Sequence, residues 1–530
     1  MSLEDGQLKG VDERREAEKK KLMNGDVIYI YRGSRSRNVY IGQTRRFFDR
    51  HKQHYSGREE AFEHGDFDEV KVLYSSFFNG SALDHVENML ITYFAADAPP
   101  QKRRATAVTF HQNDLLNRNQ GNRFNAYREE EEVATQVILP FWEALHSEGW
   151  VHTPSLEELR NQALVKYSPI KRMTEQQNQY IDEIIDRKEE SFVIHGDAGT
   201  GKTVLLTHLV AKLLNEKPEK KIAVVTQPNW ISTAKHIFKI YGMNTRNLTI
   251  DTSTNLIHAG QEYDVIIVDE AHKLSRHYSK QLPSFNRVYV GRFQGVTHHL
   301  DCLKQLGRQM VLMYDVLQAI RPANITRSQF KIATAGFLRR DLSTQFRRQA
   351  PKGKTYTSDD FINGIKYLLY KDTRLLEETN FDPDFNRDVF KDNDEDAYFG
   401  YFDSEPLKNL SAWIEEDRQF NSTHINRILG GLVEPWKHED GKHPSITHWH
   451  EGTIKRRWNK TQENWLQSKE DDAEDQIGSV FAVQGIDLNK VGVLIGNDLQ
   501  VDREGRLFGN PEHFHNVNGK FPKKGQIAGA

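Results

Sequence analysis

The chain has almost no cysteine, no long apolar run and no large excess of charge of either sign. One cysteine, Cys302, stands among 530 residues. That excludes a disulfide framework and any cysteine-built zinc site, and it suits a reducing cytosol. No apolar stretch approaches the roughly 18 residues that a bilayer-spanning helix needs. The opening "MSLEDGQLKGVDERREAEKKK" is too charged for a signal peptide. The expectation is a cytoplasmic protein with no membrane partner, whose residues 1–24 are a charged flexible tail. A net charge of -3, from 72 Lys and Arg against 75 Asp and Glu, excludes a globally basic chain. Contact with nucleic acid then has to come from local basic patches. Hydrophobic content is low at 37% and charged content is 28%, which fits a polar-surfaced globular protein. The length implies about three to four domains.

What is present falls into segments. Residues 25–127 alternate short strands with one clear helix. Residues 128–168, beginning "REEEEVATQVILPFWEALHSEGW", read as a helical connector. From residue 169 hydrophobic runs alternate with helical patterns: "SFVIHG", "KKIAVVT", "YDVIIVDE" and "RQMVLMYD". Such runs predict an α/β fold with a parallel sheet covered on both faces. We set a first such domain at 169–335 and a second at 336–530. The second includes a polar region, 351–475, and a late apolar strand, "VGVLIG".

"SFVIHGDAGTGKTVLLTHLV" carries the most specific pattern. Gly196, Gly199, Gly201, Lys202 and Thr203 fit a P-loop, with a hydrophobic strand before and an amphipathic helix after. Glycines let backbone N–H groups curl around phosphate oxygens, and the helix N-terminus adds partial positive charge. Lys202 reaches the outer phosphates and the Thr203 hydroxyl ligates magnesium. "YDVIIVDEAH" ends a buried strand in Asp269 and Glu270 at the edge where ligands of such sheets bind. Asp269 is placed to hold magnesium through water, and Glu270 to orient or deprotonate the attacking water. The pair predicts ATP binding and hydrolysis.

Here the residues resemble a family. "VDEAH" resembles the Walker B motif of superfamily 1 and 2 helicases, and "MTEQQ" resembles a Q-motif in which Gln177 reads adenine. "VLMYDVLQAI" is similar to motif III, with Gln318 sensing the γ-phosphate. "LSTQFRRQ" is similar to motif IV, carrying Gln345 and Arg347. "SVFAVQGIDLNKVGVLIGNDL" resembles motif V of Schlafen-type helicase-like domains, with Gln484 and Gly485 near phosphate or the nucleic-acid strand. The resemblance implies two RecA-like lobes. Its Thr-Arg-Gly motif VI has no counterpart after "GNDLQ". The second lobe is therefore expected to be incomplete, or completed by a partner protein. Loss of a transition-state arginine of this kind costs about a thousandfold or more in turnover, with Arg347 supplying part of that charge.

A second resemblance lies upstream. "VIYIYRG" and "VYIGQT" match the two hallmark segments of GIY-YIG nucleases, with Tyr29 and Tyr40 as the named tyrosines and Val27 in place of the first glycine. "RRFFDRHKQH" gives Arg50 and His54, "SALDHVENMLITYFAA" gives Glu87, and "DLLNRNQGN" gives Asn117. Independently, Leu83, Val86, Leu90, Ile91 and Phe94 form a stripe at helical spacing in which Glu87 is embedded. A carboxylate at the edge of a core is costly unless paired, hydrogen-bonded or metal-bound, and its hard oxygens suit magnesium or manganese.

The roles the resemblance implies follow phosphodiester chemistry. Glu87 holds a divalent ion on the scissile phosphate. Tyr29 accepts the proton of the attacking water or positions it, the first role requiring a pKa lowered by nearby cations, and Tyr40 orients water or phosphate. Arg50 neutralises charge in the transition state. His54 and Asn117 are supporting contacts, the alternative for His54 being a plain helix-surface residue. Two functions stay open. One is a nuclease–helicase fusion acting on DNA, or alternatively RNA, in defence against foreign or phage DNA. The other is an ATP-dependent nucleic-acid-binding switch that neither cuts nor unwinds.

Overall fold

In the computed structural model of this chain, the residues described are 1–97, 114–115, 129–342 and 353–515. Excepted are 5, 59–60, 63–65, 157–158, 160–164, 166, 169–172, 241–242, 279–282, 320, 379, 393–396, 398, 422–423, 434, 436–439, 441–442, 444, 460–464, 466–474, 480–481 and 484–487. They divide into two compact units. One holds 1–178, 207–219 and 232–247; the other holds 179–206, 220–231 and 248–530.

The first unit is built on a sheet of six short strands. Two of them, β1 (Ser2–Glu4) and β2 (Gln7–Lys9), belong to the segment expected to be a tail. That expectation is corrected. Ser2 pairs with Glu69, Leu3 is buried, and the terminal ammonium donates to Val70 O at 3.0 Å. The charged residues that suggested disorder lie on the solvent sides of this hairpin and of α1 (Glu16–Asn24), whose buried residue is Leu22.

The β-branched and aromatic runs form β3 (Val27–Arg32) and β4 (Asn38–Thr44), as their composition favours. Their antiparallel register sets Tyr29 opposite Gly42 and Tyr31 opposite Tyr40. A further antiparallel strand, β5 (Glu69–Tyr74), lines the other side of β3, and β6 (Asp114–Leu115) runs parallel to β4. The order is β2-β1-β5-β3-β4-β6, which leaves β3 central and its residues Val27 to Tyr31 at most 1% exposed. Helix α2 (Phe47–Gln53) follows the hairpin directly.

Helix α3 (Gly80–Ala96) opens on Asn79, whose side chain accepts from Ala82 N. The expected stripe is its buried face: Leu83, Val86, Leu90, Ile91 and Phe94 are all at most 3% exposed. Each contributes roughly 2 kcal/mol of burial. The helical connector is present from Glu130 to Ser147, ending in α4 (Leu139–Ser147). It is not a linker, because Trp142 is fully buried against Tyr93 and Phe94 of α3. The buried Asp97 carboxylate accepts from His152 N and Thr153 N, which ties the following segment to the end of the same helix.

In the second unit the predicted apolar runs form a parallel sheet. Its strands are β7 (Phe192–Gly196), β8 (Ile222–Val225), β9 (Leu248–Asp251), β10 (Tyr263–Val268), β11 (Gly307–Tyr314) and β12 (Leu338–Leu342), in the order β12-β7-β11-β10-β8-β9. The domain boundary drawn at 335 is corrected by β12, which pairs with β7 along its whole length. Gln309 of β11 is buried and donates to the carbonyls of Ile184, Arg187 and Glu190 at 2.9–3.0 Å. These carbonyls end α5 (Glu175–Asp186) and the turn beyond it. Helix α6 (Lys202–Glu216) begins just after β7, and α7 (Pro228–Ile240) follows β8.

The polar region 351–475 divides between two small apolar cores. Helix α8 (Ser358–Tyr370), started by a Thr357/Asp360 capping box, belongs to the cluster of Tyr356, Phe361, Phe385 and Val389. Helix α9 (Pro406–Phe420) belongs to the cluster of Leu407, Ile414, Ile428, Trp458, Ile477 and Leu494. The latter holds a parallel three-stranded sheet of β13 (Asn426–Gly430), flanked by β14 (Ile477–Gly478) and β15 (Lys490–Leu494).

Candidate functional site

Two constellations stand out, one in each unit. In the first, the β3–β4 register gathers phenols: Tyr29 lies edge-on to Tyr31 at 5.6 Å and stacked with Tyr40 at 6.4 Å between ring centroids. The turn that continues α2 brings His54 in, with Nε2 2.8 Å from Tyr29 Oη. Arg50 Nε donates to the same oxygen at 3.4 Å. His54 is not a helix-surface residue, the alternative that its sequence left open. It is fully buried and stacked on Phe62 at 4.2 Å, because the apolar ring of Phe62 covers its outer face. A side chain at Gly42 is forbidden by the phenol itself, since a Cβ there would lie 2.3 Å from Tyr29 Oη.

The expected lowering of the Tyr29 pKa is also corrected. Burial, followed by the neighbouring Tyr40, pushes it well above the ordinary tyrosine value, and the Arg50 hydrogen bond and charge only partly oppose this. The phenol is therefore neutral, with Arg50 donating to its oxygen and the same oxygen sharing a hydrogen bond with His54 Nε2. Sequence reasoning missed a parallel pair, Tyr31 Oη and His51 Nδ1 at 2.7 Å, with His51 Nε2 2.9 Å from Gly6 O. The i, i+2 spacing of Tyr29 and Tyr31 on one strand was the available signal.

Glu87 is half-buried on α3. Gln43, next to Gly42 on β4, donates its amide N–H groups to Glu87 Oε2 at 2.9 Å and to Asp84 Oδ1 at 2.6 Å. Burial pushes the Glu87 carboxyl up to about 7, Gln43 opposes this, and the Asp84 charge adds to it. Arg50 lowers Glu87 and Tyr29 alike, and Glu87 raises Tyr29, so acid, guanidinium and phenol share one electrostatic neighbourhood. Two carboxylates bridged by one amide are a hard-oxygen donor set with excess negative charge, which fits magnesium or manganese. Asn117 lies outside the described residues.

In the second unit the loop after β7 has the P-loop form. Gly199 and Gly201 take φ of 90° and 82°, a left-handed conformation that suits glycine. Lys202 is buried and donates to Gly196 O at 2.6 Å and Asp197 O at 2.9 Å, with Asp315 Oδ2 3.9 Å away. Thr203 is half-buried in the first turn of α6. Asp269 and Glu270 follow β10. Glu270 has φ of 52°, a costly conformation for a residue with a side chain and one that recurs at functional sites.

Burial, and then the Glu270 charge, push Asp269 up to about 7, and its Oδ1 is buried with no hydrogen-bond partner among the described residues. An orphaned, proton-seeking oxygen beside the P-loop lysine is a fit for magnesium. Glu270 is held low, at about 2: burial opposes its charge, but His272 and Lys273 outweigh that. His272 was missed by sequence reasoning. Its Nδ1 accepts from Asp315 N at 3.3 Å, and its Nε2 lies 3.0 Å from Glu270 Oε2. Gln318 donates to Asp315 Oδ2 at 2.6 Å. The strand ends β10 and β11 are thereby wired together next to Lys202.

Gln177 is buried, and its Oε1 accepts from Thr174 N at 3.0 Å in a capping contact at the start of α5. Gln345, Arg347, Gln484 and Gly485 lie outside the described residues.

Comparison with known proteins bears on the second unit. Residues 189–527 match the Schlafen group 3, DNA/RNA helicase domain. The protein YPL245W of Saccharomyces cerevisiae (strain ATCC 204508 / S288c), itself uncharacterized, is 28% identical over 372 residues, 64% of this chain and 75% of its own length. Among solved structures, Pif1 helicase from Candida albicans is 16% identical with a TM-score of 0.22, covering 37% of this chain and 44% of its own. AMPPCP-bound DnaA from Aquifex aeolicus is 13% identical with a TM-score of 0.21, covering 40% and 57%. The chain thus spans about half the length of these solved structures, and such TM-scores add nothing to the assignment. No helix among the described residues is long and apolar enough to cross a membrane. With a family match over well more than half of its 530 residues, the chain belongs to the Schlafen group 3 family of DNA/RNA helicase domains, and it carries a helicase-like P-loop ATPase domain.

Proposed function

We propose that the protein is a nuclease–helicase fusion. An N-terminal GIY-YIG-like site cuts a phosphodiester of nucleic acid, DNA before RNA, and the ATPase domain gates or drives that cutting. The observation that carries the first half is the convergence on Tyr29 of Arg50 and His54, with Glu87 in the same field.

In this reading Arg50 binds the scissile phosphate and neutralises developing charge. Tyr29 passes its proton to His54 Nε2 as it takes one from the attacking water, so the buried neutral phenol acts through a relay rather than through a low pKa. Tyr40 orients water or phosphate beside the Tyr29 ring. Glu87, aided by Asp84, would hold magnesium or manganese, which supplies Lewis-acid stabilisation of the leaving oxygen when bound. In the ATPase domain Lys202 and Thr203 bind the phosphates, Asp269 would hold magnesium, and Glu270 orients water, fixed by His272. Gln318 and Arg347 respond to the terminal phosphate, Gln177 reads the base, and Gln484 and Gly485 touch phosphate or the strand. Those roles, the supporting role of Asn117 and a setting in defence against foreign or phage DNA rest on resemblance. A partner polypeptide supplying a motif VI arginine belongs to the same reading.

The second reading, an ATP switch that does not cut, is favoured by the raised Tyr29 pKa, which makes the phenol a poor base by itself. Cleavage of single- and double-stranded DNA and RNA, with and without ATP and magnesium, separates the two. Fusion predicts metal-dependent products lost in Tyr29→Phe, and ATP dependence lost in Lys202→Ala. Metal-dependent cutting that survives Tyr29→Phe refutes the assigned site.

A further inference from the structure

The phosphate loop meets a lysine that no P-loop pattern includes. Lys366, on α8, places Nζ 2.5 Å from Asp197 Oδ2, across 169 residues of sequence. Its side chain is 8% exposed. The same ammonium donates to Asn380 O. That carbonyl is oriented by its own residue, since Asn380 Nδ2 donates to Leu375 O at 3.0 Å and Asn380 Oδ1 accepts from Glu377 N at 2.9 Å. Asp197 meanwhile takes Lys202 through its backbone carbonyl at 2.9 Å. Two buried ammonium groups therefore converge on the residue that follows Gly196, one through the carboxylate and one through the main chain.

A buried ammonium is expensive to hold even when paired, and hydrophobic packing would hold α8 as well. Unpaired, the half-buried Asp197 carboxylate would carry a charge with no counter-ion. Paired, it presents a neutral unit whose cation sits on a flexible stem, the property that makes lysine a movable point charge for phosphate.

We propose that Lys366 is a phosphate-binding cation of the nucleotide site, held ready by Asp197 and Asn380 and turned to the terminal phosphate when the triphosphate enters. This rests on the ATPase reading above. It means that the segment following the first parallel sheet contributes a charge to the reaction directly, distinct from Arg347 and from any motif VI arginine. Asp197 is then a positioning residue for that cation.

The test is steady-state ATP turnover together with ADP binding by fluorescence, on the full chain. Lys366→Met keeps the aliphatic stem and is expected to lower kcat about 100-fold, the scale for losing one transition-state donor, with ADP affinity unchanged within about threefold on the same grounds. Lys366→Arg is expected to keep at least about a tenth of kcat, since a positive charge remains. The double variant Asp197→Asn/Lys366→Met is expected to stay as slow as Lys366→Met. Recovery of turnover in the double variant would show that Lys366 only neutralises Asp197, and so overturns the proposal. Equal loss of ADP affinity and kcat in Lys366→Met, marking a structural clamp, overturns it too. A wild-type chain that binds ADP but never turns over ATP defeats the ATPase reading instead.

Discussion

Replacing Glu87 with glutamine separates the electrostatic role of this acid from any packing role. Its carboxyl is pushed from 4.5 up to about 7 by burial, with Gln43 and Arg50 opposing and Asp84 adding to the shift. The folded protein thus holds this proton more tightly than the unfolded chain does. Wild-type stability contributed by this group is full below pH 4.5, falls as pH rises, and is gone above about 7. The shift corresponds to at most about 3 kcal/mol, less for the solvent that reaches a half-buried group. Glutamine keeps an oxygen to accept from Gln43 but never ionises. Metal-free Glu87→Gln should therefore match wild type at pH 4 and exceed it by up to about 3 kcal/mol at pH 8. The measurement is native-state hydrogen exchange of the α3 amides in chelator, which reports this unit without requiring the whole chain to unfold in one step. Manganese titration completes the experiment: wild type should lose affinity about tenfold per pH unit below 7, and Glu87→Gln should not bind at this site. A variant that is less stable than wild type at pH 8, or that follows the same pH curve, would show that the carboxylate is not held at an electrostatic cost and that the metal assignment is wrong.

Two other substitutions probe local geometry. Gly42→Val must displace the Tyr29 phenol, because even a Cβ would sit 2.3 Å from its oxygen. Metal-dependent cleavage should fall about 100-fold, the scale of losing a proton-transfer group, while ATP turnover is untouched; unchanged cleavage would remove Tyr29 from the site. Gln309→Leu strips N–H donors from the carbonyls of Ile184, Arg187 and Glu190. Leaving the buried Ile184 acceptor and the two partly buried ones without this donor should destabilise the unit by about 2 kcal/mol, read as a lower urea midpoint of α5 exchange. A shift below about 0.5 kcal/mol, the noise of a surface change, would mean water replaces the amide.

Much of the candidate chemistry was legible before folding because it is written in adjacent residues. A P-loop is a single strand–turn–helix, so "HGDAGTGKT" specifies its own backbone path. "YDVIIVDEAH" and "RQMVLMYD" announce buried parallel strands by apolar content alone. The stripe of Leu83, Val86, Leu90, Ile91 and Phe94 is a one-helix periodicity, and it located Glu87 at a core edge. Even Tyr29 and Tyr40 share a hairpin, and pairing across one turn is a local matter.

What tertiary structure alone decided has no local signature. Residues 1–9 look like a solvated tail until β5 offers an edge for them to pair with. The strand Leu338–Leu342 reads as polar, "LRRDL", yet joins the parallel sheet of the second unit because β7 has an unpaired side. Trp142 turns a connector into core only by meeting α3. A surface place for His54 stayed open because nothing in α2 reveals that Phe62 will cover it, and the Tyr29 pKa was misjudged because burial outweighs the adjacent cation. The contact of Lys366 with Asp197 spans 169 residues. Sequence spells out bonds between near neighbours; burial and charge pairing are set by whichever distant groups the closed chain brings into range.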